Sequence, residues 1–169
     1  MPTVRVEQVD EMDPSLLQAL MEIEQEAFGR GGMNEWFLPP FARRGQVYAL
    51  WVEGHRKPVG VVECMVTWGQ PHCAYLFGMA IREGWRGKGL GTRFLRDICR
   101  RLRVMGFLTL ELTVAPTNAA ALRVYQGKLG FEPIALYPEE YGQGEDRLLM
   151  RLDLTRDLKA GEKRQGGGR

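Results

Sequence analysis

Polar and apolar residues alternate through Thr3, Val4, Arg5, Val6, Glu7, Gln8 and Val9, the period-two pattern of a half-buried strand. The period then changes. Leu16, Leu17, Leu20, Ile23 and Ala27 recur at helical spacing, which predicts a helix over residues 14–28 opened by Asp13 ahead of Pro14. Gly29, Gly31 and Gly32 interrupt the chain, and a short second helix over residues 34–41 is expected to stop at Pro39-Pro40. Two β-rich runs, residues 46–53 and 58–68, flank Gly54-His55-Arg56-Lys57 and predict an antiparallel hairpin. A third run over residues 73–81 contains Gly78, which weakens a strand and marks a bulge or a close approach to the backbone.

Leu90, Phe94, Ile98 and Leu102, with Leu95 and Met105 beside them, form the apolar stripe of an amphipathic helix over residues 89–105 that Gly106 ends. A strand over residues 107–114 and a helix over residues 117–129, capped by Gly130, come next. Residues 131–137 and 148–154 read as a closing hairpin. Strand-helix-strand units flanked by hairpins imply an α/β (α+β) domain, with one mixed sheet of about seven strands and helices on both faces.

Composition narrows the class. A chain of 169 residues, 44% apolar and 26% charged, fits one globular domain. No apolar run approaches the roughly 20 residues of a membrane span, and the first residues lack the basic-then-apolar order of a signal peptide. A cytoplasmic protein without a membrane partner is expected. Cys64, Cys73 and Cys99 are an odd number without a C-x-x-C pair, so reduced thiols are expected rather than disulfides. His72-Cys73, with His55 the only other histidine, does not assemble a four-ligand site, and no metal is expected. Residues 156–169 hold five Lys/Arg against two Asp/Glu and read as a flexible basic tail beyond a domain of residues 1–155. That leaves 18 Lys/Arg and 19 Asp/Glu in the domain, without the basic stripe of a nucleic-acid binder.

The informative chemistry lies in Arg86-Gly87-Lys88-Gly89-Leu90-Gly91-Thr92, which follows an apolar strand and runs into a helix. Alternate glycines let the backbone approach a ligand, while unpaired N–H groups and the helix dipole favour an anion there. The segment is neither a nucleotide P-loop, because Gly84 and Gly89 are followed by Leu90-Gly91, nor a dinucleotide fingerprint, because the last glycine position is Thr92.

Arg86 to Gly91 fits the pattern Gln/Arg-x-x-Gly-x-Gly/Ala, and Asn118 to Phe131 fits N-x-x-A-x-x-L/V-Y-x-x-x-G-F. In these two segments the chain resembles the GNAT family of N-acetyltransferases, and the element order agrees from about Val4 to Leu154. The resemblance implies a mostly antiparallel sheet and acetyl-CoA as acyl donor. It also implies that backbone groups of Met79, Ala80 and Ile81 pair with the pantetheine arm. Arg86, Gly87, Lys88, Gly89, Leu90, Gly91 and Thr92 would then hold the pyrophosphate, with Asn118 touching the pantetheine. Arg93 would add charge nearby, or stand on a solvated helix face.

The same resemblance implies that Tyr125 protonates the departing thiolate, for which a phenol of pKa near 10 is suited. The general base stays open. The ribosomal-protein N-terminal branch, which the chain also resembles over residues 137–150, carries a strand glutamate where this chain has Thr113. Glu111, about 7 Å back along the strand, is one candidate acting through water, and Glu63 is a second. No histidine partners a cysteine in a pattern that would indicate an acyl-enzyme. The acceptor expected is a primary amine, a protein N-terminus or lysine, entering between Phe28 and Trp36 on one side and Tyr137 and Tyr141 on the other. A small-molecule amine acceptor and a non-catalytic acyl-CoA-binding domain are the alternatives. A monomer and a homodimer both fit.

Overall fold

The computed structural model describes residues 1–156, so the tail expected over residues 156–169 lies outside the described residues beyond Arg156. Seven strands form one sheet: β1 (Val4–Gln8), β2 (Gln46–Val52), β3 (Gly60–Thr67), β4 (Gln70–Ile81), β5 (Thr109–Val114), β6 (Glu132–Tyr137) and β7 (Arg147–Asp153). Their order is β1-β2-β3-β4-β5-β7-β6, and every neighbouring pair is antiparallel except β4 with β5. The mixed, mostly antiparallel sheet is therefore as expected.

Four helices cover it: α1 (Pro14–Phe28), α2 (Leu38–Arg44), α3 (Leu90–Val104) and α4 (Ala119–Leu122), the last continuing into a π-helix, Arg123–Leu129. Leu20 and Ile23 of α1 and Leu38 of α2 pack on Val47, Val61 and Ala80 on one face. On the other face Phe94, Ile98 and Leu102 of α3 pack on Leu50, Val62, Leu110 and Leu112. Phe94 has no exposed surface, so Phe94→Ala is expected to lower unfolding free energy by about 3–5 kcal/mol in urea titrations. A loss under about 1 kcal/mol would place Phe94 outside the core.

Local chemistry explains most of the boundaries. Asp13 caps α1 by accepting the Leu16 N–H at 2.8 Å, and Pro14 occupies the first turn, where its missing N–H costs nothing. The same rule corrects the second helix: Pro39 and Pro40 lie in the first turn of α2 and open it rather than stop it. A continuous α-helix over residues 117–129 was expected, but after Ala119–Leu122 the backbone widens to π geometry, ended by Gly130 in the left-handed region at φ 86°. β4 also starts earlier than expected, because residues 68 and 69 suffice to turn the chain from β3, with Gly69 at φ 80°.

Two irregularities shape the centre of the sheet. Glu63 pairs with Gly78, but its neighbour Cys64 pairs with Leu76, so Phe77 is the extra residue of a bulge in β4. The parallel pairing of β4 with β5 runs only from Cys73 with Thr109 to Leu76 with Leu112. Residues 78–81 are thus paired to β3 alone, and the β5-facing edge of residues 77–81 is open among the described residues.

Candidate active site

The open edge of β4 leads through Arg82 and a short 3-10 turn, Glu83–Trp85, into the glycine-rich segment at the start of α3. Gly87 and Gly89 both take left-handed conformations, φ 72° and 75°, in which a side chain would be strained. Gly89 is the N-cap of α3 and no side chain caps the first turn, nor does that turn carry an acidic residue. Its leading N–H groups and dipole are therefore available to an anion. Gly91 packs against β4: a Cβ there would stand 3.1 Å from the Met79 methyl, the far end of a flexible side chain.

The basic side chains of the segment shape the turn. Arg86 Nε donates to the Ile81 carbonyl at 2.7 Å, and Lys88 Nζ donates to the Gly84 carbonyl at 2.9 Å while lying 4.8 Å over the Trp85 ring. Arg93 donates to the Pro2 carbonyl at 3.1 Å, and Thr92 and Leu90 are buried in the helix start. Behind the turn, Arg82 donates to Glu22, Glu26 and the Ala19 carbonyl, fastening the end of β4 to α1.

Asn118 caps α4, its Oδ1 accepting the Ala121 N–H at 3.1 Å. Seven residues on, within the π-helix, the Tyr125 ring packs 5.7 Å from that of Phe131 at 58°. Burial pushes the Tyr125 phenol above its ordinary range, so the group is a protonated donor throughout neutral pH.

On the α1 and α2 side of the sheet, the Tyr75 hydroxyl and Thr113 Oγ1 are hydrogen-bonded at 3.1 Å. Burial is the main cause that raises the Tyr75 phenol; the Thr113 hydrogen bond opposes it, and Tyr141 and Glu140 of the β6–β7 loop add to it. Tyr141 therefore stands close to the sheet centre. Phe28, Trp36, Tyr137 and Tyr141, the expected acceptor walls, are all exposed, as is Phe77, whose ring lies 5.7 Å from Phe41. In the β6–β7 loop, Glu139 adopts a left-handed φ of 52° and its N–H donates to Asp146 at 2.9 Å. A strained non-glycine residue in such a loop marks a shape that the surroundings impose.

The two carboxylates named as base candidates stand differently. Glu111 is nearly buried and accepts from Arg151, with Nε at 2.8 Å. Glu63 is fully buried and faces Glu24 of α1, a residue that the sequence pattern did not single out. The signal was present, since Glu24 follows Ile23 on the core-facing side of an otherwise apolar stripe. Tyr75 was likewise missed, as one more aromatic of a strand. No group of three or more metal-ligating side chains occurs among the described residues, and none of the described helices is long and apolar enough to cross a membrane.

Comparison with known proteins places this geometry. Residues 14–131 match the sequence profile of the Acetyltransferase (GNAT) family. The [ribosomal protein bS18]-alanine N-acetyltransferase of Escherichia coli K12 is 26% identical over 151 residues, which is 87% of this chain and 97% of that protein. An uncharacterised N-acetyltransferase of Methanocaldococcus jannaschii is 28% identical over 142 residues, 79% of this chain and 83% of its own length. The crystal structure of the Escherichia coli ribosomal-protein-S18-alanine N-acetyltransferase superposes with a TM-score of 0.72 and 26% identity, covering 95% of this chain and 98% of that one. With the profile spanning most of the chain and the same sheet, open strand edge and glycine-rich helix start in place, this chain belongs to the GNAT family of N-acetyltransferases.

Proposed function

We propose that this protein transfers the acetyl group of acetyl-CoA directly to a primary amine, in a complex holding both substrates, and that the amine belongs to a protein or peptide. The observation that carries the donor assignment is the open edge of residues 77–81 running straight into the uncapped start of α3. An extended amide-bearing arm suits the first, and a pyrophosphate suits the second. Met79, Ala80 and Ile81 would pair with the pantetheine, the segment from Arg86 to Thr92 would hold the phosphates, and Asn118 would meet the arm from α4. Acetyl-CoA supplies the activated acyl group. No metal takes part in this reading.

Tyr125, partly buried and protonated, would give its proton from the π-helix to a leaving sulfur. Glu111, held by Arg151, is the less available of the two carboxylate candidates. The acceptor would enter between Phe28, which ends α1, and Trp36, ahead of α2, on one side and Tyr137, which ends β6, and Tyr141 of the β6–β7 loop on the other, all four of them exposed. That loop carries Glu139, Glu140, Glu145 and Asp146, which favour a cationic amine. The relatives named as [ribosomal protein bS18]-alanine N-acetyltransferases support a protein amine, such as an N-terminus, as acceptor.

The test is CoA release with peptides bearing free N-termini, set beside polyamines and aminoglycosides. Peptides are expected to turn over fastest. The double variant Tyr137→Ala, Tyr141→Ala should raise KM for the peptide by about tenfold and leave KM for acetyl-CoA little changed. Turnover of polyamines but never of peptides would discard the protein acceptor and keep the acetyltransferase.

A further inference from the structure

Glu63 has no exposed surface, and neither of its carboxyl oxygens meets a donor in the protein. Glu24, across from it on α1, is almost as buried; its Oε2 accepts the Met33 N–H at 2.9 Å and its Oε1 meets no donor. Leaving such groups unsatisfied is costly, and two buried carboxylates side by side cannot both stay ionised. One proton between them relieves both problems. Glu63 then holds the proton and Glu24 accepts it, because Glu63 is raised furthest, by burial first and by the Glu24 charge second.

The pair is also aimed. Glu63 Oε2 lies 2.6 Å from the point where a Cβ on Gly78 would stand, so the carboxyl fills the notch that this glycine leaves in β4. Gly78 is only partly buried, sits at the bulge, and immediately precedes the open edge at Met79. From β2 the register partner of Glu63 is Val47, and from β4 it is Gly78; neither titrates, so Glu24 is the ionisable group that faces it. The other groups near the centre are poor proton acceptors: Thr113 has no carboxyl, the Tyr75 phenol is raised, and Glu111 is tied to Arg151.

We propose that Glu63 and Glu24 form a proton-sharing dyad that takes the proton of the acceptor amine through the notch at Gly78, Glu63 receiving it as it passes the proton it already holds to the ionised Glu24. This rests on the N-acetyltransferase reading. The step balances as follows: the amine nitrogen forms the N–C bond, the C–S bond breaks, the amine's proton passes to the dyad, and Tyr125 gives its own to sulfur. Solvent then returns a proton from the dyad to Tyr125. A carboxyl raised by burial and by a neighbouring like charge is a stronger base than an ordinary carboxylate, which suits it to this work.

Glu63→Gln keeps the shape and a donor toward Glu24 but removes the shared proton. We expect kcat to fall by about 100-fold, with acetyl-CoA affinity unchanged. The melting temperature should change little, because the amide matches the carboxyl in shape and still donates to Glu24. An infrared difference spectrum at neutral pH should show a protonated carboxyl in the wild type that the variant lacks. Gly78→Ala, whose methyl would collide with Oε2, should reproduce the kcat loss without loss of fold. If the wild type acetylates amines and both variants keep its kcat and pH profile, the dyad is overturned and the acetyltransferase reading stands. If kcat falls only in step with the melting temperature, the pair is structural and the inference fails. A wild type that acetylates no amine removes both.

Discussion

Tyr125→Phe is expected to lower kcat by about 100-fold or more, while calorimetry with acetyl-CoA shows little change in affinity. The substitution removes one oxygen and leaves the ring, so the packing on Phe131 survives and stability changes little. What is lost is a proton donor that burial keeps protonated throughout neutral pH. The basic limb of the pH profile carries a second reading of the same group. Because the phenol lies above its ordinary range, wild-type kcat should persist to higher pH than an unperturbed tyrosine allows, and that limb should vanish in the variant. Full turnover by Tyr125→Phe would reduce the residue to a packing role.

The other large effect is expected at the donor loop, where Gly89→Glu should weaken acetyl-CoA binding by at least 100-fold in the same calorimetric assay. Two costs combine. Gly89 sits at φ 75°, a conformation that costs a residue with a Cβ about 1–2 kcal/mol. The new carboxylate also stands at the mouth of α3, where like charges about 4 Å apart near a protein surface repel by about 4 kcal/mol. Gly89→Ala separates the two, since it keeps the strain and omits the charge, and it should cost affinity far less. Among the described residues the one side-chain atom near the added Cβ is the Met1 terminal methyl at 3.3 Å, on an exposed residue that can move aside. An unchanged affinity in Gly89→Glu would mean that the phosphates bind elsewhere.

The sheet, its strand count and the identities of nearly all its elements were legible because their periods are clean: alternation in β1, a stripe of Leu90, Phe94, Ile98 and Leu102 in α3. Errors arose where one residue type has two opposite uses. Pro39 and Pro40 end a helix from inside and begin one from its first turn, and the apolar pattern did not say which. The π geometry of residues 123–129 left no trace either, since a single wider turn barely disturbs an i, i+4 reading. At the site, the glycine-rich segment declared itself because its chemistry is local to one stretch of chain. Glu24, Glu63 and Gly78 lie on α1, β3 and β4, and only the folded sheet brings them together. Tyr75 and Thr113, 38 residues apart, are brought together in the same way.

The position of β7 has a consequence for how the chain reaches this state. β6 pairs with β7 alone, and β7 alone covers the side of β5 turned away from β4. Although β6 precedes it in the chain, β6 cannot join the sheet until residues 147–153 have threaded in between. During synthesis from the N-terminus, the first five strands can therefore zip up while β5 and β6 still present bare backbone edges, the features most prone to pairing with a neighbouring chain. The edges of β5 and β6 that face β7 are covered in one event, the arrival of the final strand, and β6 keeps its outer edge as the end of the sheet. That event also fixes the ends of the β6–β7 loop, so Tyr137 and Tyr141 gain their places only as the sheet is completed.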